Sequence, residues 1–242
     1  MPSSSLVDPA SAPTISVVVP ARDEEALVAT AIDSVASRTF PTAAIEVIVV
    51  ANGCRDRTAD AVRAAAQAAP DLLVQLIEEP RPGVARAKNL GARAARGGLI
   101  VFLDADSRLA PDLLARVAER AARGETAGSI RIVADSADRL DLGFFRLIEW
   151  GKDLFGIHAN MLWCRREAFL AQGGFDESLN HAEDVELLRR LSRGGARVGH
   201  VSESWIATSP RRLRSLPLRL GMVTTLGRWA LGHVGLGRRW PY

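Results

Sequence analysis

The stretch LIVFLDADS, residues 99–107, places two carboxylates directly after a run of apolar residues. The apolar part predicts a buried strand, and Asp104 and Asp106 follow it one residue apart. Like charges this close repel unless a cation lies between them or water surrounds them. The stretch therefore indicates either a cation site at the end of a strand or a helix cap, in which Asp106 or Ser107 caps a helix that begins near Pro111.

Three further apolar runs precede this strand, and each is followed by a stretch of helical character. The predicted strands cover residues 14–20, 45–50, 72–77 and 99–103, and the predicted helices between them cover 23–38, 56–69 and 83–96. Near-continuous apolar strands that alternate with helices are typical of βαβ crossovers and of a parallel sheet covered on both faces. We therefore predict an α/β fold with a Rossmann-like, mostly parallel sheet.

Beyond Ser107 the pattern becomes less regular. Helices are predicted near 111–122, 138–152 and 182–193, and short strands at 127–133, 160–164 and 197–201. These elements predict a smaller α+β half built onto the first half.

The carboxyl ends of parallel strands define the expected ligand site, because open α/β sheets bind ligands in the crevice beyond those ends. The segments that follow the four strands are PARDEE (20–25), ANGCRD (51–56), EEPRPG (78–83) and DADS (104–107). All four are expected to line one crevice. There the oxygens of Asp104 and Asp106 would hold a hard divalent cation that binds phosphate oxygens from its other side.

A second acidic pair, Glu183 and Asp184, lies at the predicted start of an amphipathic helix in HAEDVELLRRL (181–191). Acids in a first helical turn also simply oppose the helix dipole, so the pair alone does not establish a site. The preceding stretch RREAFLAQGGFDESL (165–179) predicts a helix, a glycine turn and an acidic loop that position the pair.

The composition is that of a globular protein with one substantial core: of 242 residues, 48% are hydrophobic and 24% are charged. The two cysteines, Cys54 and Cys164, form no CxxC pair, so we expect neither a disulfide framework nor a zinc site, and we expect a cytoplasmic location. No apolar run approaches the ~20 residues of a membrane-spanning helix, and no secretory leader is evident.

Charge is distributed unevenly along the chain, whose net charge is +3. Residues 204–242 contain seven arginines and no acid, so the remainder carries 24 basic against 28 acidic residues, a net charge of −4. An arginine-rich end on a mildly acidic body indicates an anionic partner near that end. The absence of nucleic-acid-binding motifs disfavours DNA or RNA. A peripheral contact with anionic lipid is the alternative to a helix packed on the domain.

Five motifs, in order, resemble those of family 2 glycosyltransferases with the GT-A fold. They are SVVVPARDEE (16–25), VIVVANGCRDRTAD (47–60), GVARAKNLGA (83–92), FLDADS (102–107) and RREAFLAQGGFDESLNHAEDVELLRRL (165–191). The resemblance covers roughly residues 14–210, and its specificity lies in the ordered set. It divides the chain into a lead-in expected to be disordered (1–13), a GT-A domain (14–210) and an arginine-rich helical tail (211–242).

The resemblance implies a metal-dependent, inverting transfer of a sugar from a nucleoside-diphosphate sugar to an acceptor hydroxyl. Asp106 would coordinate Mg²⁺ or Mn²⁺ at the diphosphate, and Asp104 would reach the ribose or a metal-bound water. Asp184 would be the general base, and Glu183 would orient the acceptor. The further donor-binding positions are Pro20, Ala21, Arg22 and Glu24 near the nucleoside, and Arg86 and Lys88 near the phosphates.

Two positions depart from the family pattern. Asn52 stands where the family usually has an aspartate that contacts the base; since an amide both donates and accepts, UDP is favoured as the carrier and GDP stays open. The family often has a metal-binding histidine after the last strand, whereas this chain offers Thr208 and Ser209, with Arg211 and Arg212 supplying positive charge near the phosphates.

Two other functions are compatible with the carboxylates. Nucleotidyl transfer also uses metal held by carboxylates, but no glycine-rich loop ending in lysine is present for the phosphates. A non-catalytic module that binds nucleotide sugars is the other alternative, and the presence of Asp104, Asp106 and Asp184 argues against it. The acceptor and the oligomeric state are not encoded in any motif of the chain.

Overall fold

The computed structural model describes residues 14–35, 40–155, 161–179, 182–214 and the single positions 221, 222, 224 and 227. The lead-in predicted for 1–13 and most of the tail predicted for 211–242 therefore lie outside the described residues. Within the described part, no helix is both long enough and apolar enough to cross a membrane.

Eight strands and eight helices make up the described fold, together with one 3₁₀ turn at Thr42–Ala44. The strands are β1 (Ile15–Ala21), β2 (Ile45–Asn52), β3 (Leu73–Glu79), β4 (Leu99–Phe102), β5 (Ser107–Leu109), β6 (Ala127–Ala134), β7 (Leu162–Arg165) and β8 (Val198–Thr208). The helices are α1 (Val28–Val35), α2 (Thr58–Ala68), α3 (Val84–Ala94), α4 (Leu113–Ala122), α5 (Arg139–Phe155), α6 (Arg166–Ala171), α7 (Glu183–Arg193) and α8 (Arg211–Arg214).

All eight strands form one sheet in the order β3-β2-β1-β4-β7-β6-β8-β5. The first four strands run parallel, and β6 runs parallel to β8. Strand β7 is antiparallel to both of its neighbours, and β5 is antiparallel to β8. The predicted α/β fold with a mostly parallel sheet is confirmed, and the less regular second half adds its strands to the same sheet.

Alternate residues of the central strands face two separate cores, as the pleat of a strand requires. Val17 and Val19 of β1 point into the core that packs against α1, α2, α4 and α5. Val18 points into the opposite core, which contains Phe102 and side chains of α3, α6 and α7. Helices α3 and α7 therefore share one face of the sheet although about 90 residues separate them in the chain.

The predicted first helix began at Asp23, whereas α1 begins only at Val28. The intervening residues are held in a loop because their backbone groups bond across to the loop after β2: the Glu24 N–H donates to Thr58 Oγ1 at 2.8 Å and the Glu25 N–H to Asp56 Oδ2 at 3.0 Å. The acidic residues of this segment predict the start of a helix, but they lie in a loop that is hydrogen-bonded to the segment after β2.

Three strands also differ from the prediction. Strand β3 has no buried residue, because it lies at the edge of the sheet and lacks a neighbour on one side. Strand β8 continues to Thr208, beyond the predicted end at residue 201, and pairs there with the unpredicted strand β5. The sequence VSESWIAT (201–208) does not alternate clearly between apolar and polar residues, because it contains exposed serine and glutamate. This explains why the predicted strand ends too early.

Helix α3 lies close to the sheet because of a glycine. A Cβ atom at Gly91 would overlap Cγ1 of Val18 on β1, whereas a Cβ atom at Gly143 of α5 would meet nothing within 4 Å. Both glycines are helical. Replacement of either by alanine is the same chemical change, but only the replacement at Gly91 creates a steric conflict.

We predict that Gly91→Ala lowers the free energy of unfolding by about 1–3 kcal/mol, since Val18 is branched and cannot swing away. Gly143→Ala is the control and should raise it by up to about 1 kcal/mol through helix propensity. Urea unfolding of both variants measures the effects. A loss of stability at Gly143 that equals the loss at Gly91 would contradict the close packing of α3.

Candidate functional site

The loops after β1, β2 and β4 lie together at one edge of the sheet, because these strands are parallel and in register. Ala21 pairs with Ala51, and Val18 pairs with Phe102. Asn52, at the end of β2, is buried. The chain turns sharply after it at Gly53, whose φ of 63° favours glycine and whose N–H donates to the Glu79 carbonyl at 2.7 Å.

Loops β1–α1 and β2–α2 are fastened to each other by carboxylates. Asp23 Oδ1 accepts a hydrogen bond from the Arg55 N–H at 2.7 Å. The carboxylate of Asp56 accepts from the N–H groups of Glu25 and Thr58, each at 3.0 Å. Although desolvation opposes the change, the hydrogen bonds to Asp56 lower its pKa. This fastening leaves the predicted residue Arg22 exposed at the crevice.

The two acids after β4 have different surroundings. The Asp104 carbonyl accepts from the Ser107 N–H at 3.0 Å, which closes a turn directly after the strand. The carboxylate of Asp106 is largely buried and lies 3.4 Å from Nε of Arg211, whose Nη2 also contacts the Glu24 carboxylate. Arg211 therefore bridges the loops after β1 and β4, and a cation does lie beside Asp106.

Metal-binding side chains are sparse around Asp104 and Asp106. Among the residues that the structure describes, one group of three has ligand atoms within 4.8 Å of one another, namely Asp23, Cys54 and Asp56. The two acids after β4 belong to no such group. A cation at Asp106 would need most of its ligands from elsewhere, which fits a magnesium-type site completed by substrate phosphates.

The centre of the site is a buried ion cluster between α3 and α7. Nζ of Lys88 lies 2.8 Å from Oε1 of Glu183 and 2.9 Å from Oδ1 of Asp184. The same ammonium lies 5.1 Å from the centroid of the Phe175 ring. Burial alone would lower the pKa of Lys88, but the charges of Asp184, Glu183 and Asp104 outweigh it and raise that pKa well above 10.5. Lys88 is therefore a permanent cation.

Asp184 is a carboxylate of this cluster whose proton affinity is perturbed. Burial, together with the charges of Glu183 and Asp104, raises its pKa from 3.8 to about 6, while the charge and hydrogen bond of Lys88 hold it down. A carboxylate with a pKa near neutrality is a stronger base than a solvated one and is still ionised at pH 7. The geometry therefore gives Asp184 the properties of a general base.

The backbone that leads into α7 is constrained. Ala182, immediately before Glu183, has a φ of 60°, in the left-handed region. A residue with a Cβ atom adopts this conformation at a cost of about 1–2 kcal/mol. Such conformations persist where surrounding contacts hold them and often occur at functional sites. The ion pairs of Lys88 with the first two residues of α7 lie directly after this position.

Asn89, next to Lys88 on α3, holds the loop before α7. Its Nδ2 donates to the Phe175 carbonyl at 2.9 Å, and its Oδ1 accepts from the Phe175 N–H at 2.8 Å. Gly174 has a φ of 78°, and a Cβ atom there would collide with Oδ1 of Asn89. Arg86 lies 3.0 Å from Glu177 in the same loop. One helix thus positions the whole segment that carries the acidic pair.

The structure brings most of the predicted site residues to this edge of the sheet, with contacts that the sequence did not reveal. Pro20 and Ala21 are buried at the end of β1. Arg86 and Lys88 pair with acids of the α7 side, and their placement near donor phosphates stays a prediction. The chain has only two lysines among its many arginines, Lys88 and Lys152, and both are buried. That scarcity was the available signal, since lysine and arginine are not interchangeable and a rare lysine in an arginine-rich chain marks a position with its own requirement.

The chain matches the family model for glycosyl transferase family 2 over residues 16–170. This match covers more than half of the chain, and the chain belongs to that family. The predicted family membership is confirmed.

A curated relative is the undecaprenyl-phosphate 4-deoxy-4-formamido-L-arabinose transferase of Pseudomonas aeruginosa, which is 34% identical over 119 residues. The match covers 48% of this chain and 35% of the relative. The chain spans about a third of the length of the curated relatives it matches.

Solved structures with the same fold include the mannosyltransferase PcManGT of Pyrobaculum calidifontis in complex with GDP-Man and Mn²⁺, with a TM-score of 0.68 and 24% identity over 91% of this chain and 66% of that one. Glucosyl-3-phosphoglycerate synthase of Mycobacterium tuberculosis, solved with Mn²⁺, UDP and phosphoglyceric acid, gives a TM-score of 0.59 and 21% identity over 93% of this chain and 79% of that one. The fold is of the GT-A type.

The ion cluster leads to a prediction about stability. We expect Lys88→Met to lower the free energy of unfolding by about 3 kcal/mol at pH 8, because it leaves two buried carboxylates without their cation. The loss of unfolding free energy should be smaller at pH 5, since Asp184 then takes up a proton and no longer repels Glu183. Urea unfolding at the two pH values measures both effects.

Arg86→Met is the matched control, because it removes a half-exposed pair from the same helix. Its effect should stay below about 1 kcal/mol at either pH. Equal effects of the two substitutions, or a Lys88→Met effect that does not change with pH, would contradict the buried cluster.

Proposed function

We propose that the protein is an inverting glycosyltransferase that moves a sugar from a nucleoside-diphosphate sugar to an acceptor hydroxyl, with Asp184 as the general base. The observation that carries the proposal is the position of Asp184: it is ionised, partly buried beside Lys88 and of raised pKa, at the same edge of the sheet as the acids after β4. Family membership supports the reaction class.

The chemistry assigned to Asp184 is one proton transfer. The acceptor oxygen forms a bond to the anomeric carbon, the bond from that carbon to the diphosphate oxygen breaks, and the hydroxyl proton passes to the Asp184 carboxylate. A single displacement of this kind inverts the anomeric centre and needs no protein nucleophile. Glu183 would orient the acceptor, and Lys88 keeps both carboxylates ionised and aimed, since it contacts both.

The donor would bind in the crevice along β1, β2 and β4. Pro20, Ala21, Arg22 and Glu24 would line the nucleoside, and Asn52 would contact the base. PcManGT was solved with GDP-Man and the mycobacterial synthase with UDP, so both carriers occur within this fold. We favour UDP, because an amide at Asn52 retains an acceptor for the uracil N–H, and we retain GDP as the alternative.

Asp106 and Asp104 would hold Mg²⁺ or Mn²⁺, for which their carboxylate oxygens are suitable ligands. When bound, the cation would supply Lewis-acid stabilisation of the leaving diphosphate. Both neighbouring structures contain Mn²⁺, which supports this assignment. Because Arg211 contacts Asp106, its guanidinium and the metal would compete for that carboxylate. Arg86 is assigned to the phosphates only by the family motif.

We further propose that the protein acts in the cytoplasm and that the arginine-rich segment 211–242 contacts the anionic inner face of the membrane. The support is the sequence of that segment, which has arginine and no acid, and the printed name of the Pseudomonas relative, which includes a lipid phosphate. The acceptor of this chain is assigned only as a hydroxyl compound.

The direct test replaces Asp184 by Asn. Release of nucleoside diphosphate from the donor, with water in place of the unidentified acceptor, should fall by at least about 100-fold, because the amide cannot take the proton. Donor affinity, measured by thermal shift, should stay within about two-fold of the wild type.

Asp60→Asn is the control for this test, since Asp60 is an exposed acid on α2 and pairs with Arg63. It should release nucleoside diphosphate at the wild-type rate. Undiminished release by Asp184→Asn would show that Asp184 is not the base. Donor binding with no sugar release by the wild type would favour a non-catalytic module.

A second prediction concerns the donor and the metal. A ligand that binds only the folded state raises its melting temperature. We expect UDP with Mn²⁺ to raise the melting temperature of the wild type more than GDP or dTDP, and more than UDP alone. The increment due to Mn²⁺ should be lost in Asp106→Asn. If that variant retains the full increment, Asp106 does not hold the metal.

A further inference from the structure

Helix α5 carries a row of apolar side chains on its solvent side. The row, here called the α5 stripe, consists of Leu140, Leu147, Trp150 and Leu154, which are 64%, 49%, 61% and 58% exposed. Their spacing of seven, three and four residues places them on one face of the helix. Single exposed leucines are ordinary, but an aligned row that includes tryptophan marks an interaction surface.

The inner face of α5 makes the stripe more unusual. Phe144 and Phe145 pack into the core, as expected for an amphipathic helix. However, two charged residues are also fully buried: Lys152 pairs with Glu149 at 2.6 Å, and Asp141 contacts Arg214 of α8. The helix therefore buries two charged side chains beside its phenylalanines and leaves four large apolar side chains exposed, which water alone would not favour.

The charges beside the stripe indicate which partner covers it. Arg139 and Arg146 are exposed and lie along one side of the row. Among the α5 side chains that the structure describes, no exposed one is acidic. Leucine and tryptophan beside arginine form the combination that binds the interface of an anionic bilayer.

The other possible occupants fit less well. The segment 215–242 of this chain is itself basic, with four arginines and no acid, so Arg139 and Arg146 would repel it. A second copy of the chain would find only a single row of four side chains, which offers less than the roughly 800 Å² per partner of a standard interface.

The strands before and after α5 belong to the sheet that carries the acids. The chain enters the helix from the end of β6, where the Asp135 N–H donates to the Thr208 carbonyl at 2.9 Å. Strand β7, which follows α5 in the chain, pairs with β4 through Trp163 and Val101. A partner on α5 would therefore contact a helix connected to the same sheet that carries Asp104 and Asp106.

We propose that the α5 stripe docks the protein on an anionic lipid bilayer, with Leu140, Leu147, Trp150 and Leu154 inserted at the headgroup level and Arg139 and Arg146 on the lipid phosphates. This surface lies outside the segment 211–242 and does not depend on the proposed transferase activity. It would present the crevice to molecules at the membrane surface.

The test is sedimentation of the full-length protein with vesicles of phosphatidylcholine alone or of phosphatidylcholine with 30% phosphatidylglycerol. The wild type should bind the anionic vesicles, and Leu147→Gln/Leu154→Gln should reduce the bound fraction at least five-fold. Leu73→Gln/Leu170→Gln, which changes two exposed leucines on β3 and α6, is the matched control and should bind like the wild type. Arg139→Gln/Arg146→Gln should lose the preference for anionic vesicles.

Three results would overturn the proposal. The first is wild-type protein that does not bind anionic vesicles. The second is wild-type binding by Leu147→Gln/Leu154→Gln, which would assign the binding to another segment. The third is a wild-type dimer in sedimentation equilibrium that this variant converts to a monomer, since the stripe would then cover a second copy. Equal melting temperatures of the variants and the wild type verify that folding is unchanged.

Discussion

The arrangement of the site depends on one buried cation. Glu183 and Asp184 are adjacent acids at the start of α7, and both are removed from most of the solvent. Two neighbouring carboxylates cannot both remain ionised in such a place unless a positive group compensates them. Lys88 provides that charge from α3, 95 and 96 residues away in the chain. The same contact also joins the first half of the fold, which carries α3, to the second half, which carries α7.

The sheet makes this contact possible. The pleat sends alternate side chains of β1, β2 and β4 to opposite faces, and α3 and α7 pack on the same face. Gly91 lets α3 approach β1 closely, and Asn89 grips the loop before α7 at Phe175. Lys88 lies on the same helix, next to Asn89, so the packing of the helix fixes the ammonium where the acids begin. The geometry of the ion cluster therefore depends on how α3 packs against the sheet.

The sequence predicted the elements and the edge of the sheet well, for physical reasons. Buried parallel strands are continuous apolar runs, and their carboxyl ends must meet, so the positions of Asn52, Asp104 and Asp106 followed from the strand pattern alone. What the pattern did not contain is pairing between distant groups. Lys88 was assigned to phosphates because a local motif does not reveal that α7 returns to the face of α3.

Two other features were hidden for related reasons. The loop 23–27 has the acids of a helical start, but its hydrogen bonds go to Asp56 and to Thr58, the first residue of α2. The α5 stripe was not evident because periodicity shows which residues share a face and not which face meets the core. In both segments the local sequence is compatible with two arrangements. Contacts with residues far away in the chain determine which of the two forms.

The most direct test of the account is the pKa of the Asp184 carboxyl group in the folded protein. It can be measured by NMR titration of ¹³C-carboxyl-labelled aspartate, with the resonance assigned by its absence from Asp184→Asn. The account predicts a midpoint near pH 6, because burial and the neighbouring acids raise the pKa against the pull of Lys88. A midpoint near 4, typical of a solvated aspartate, would contradict a buried base held by Lys88.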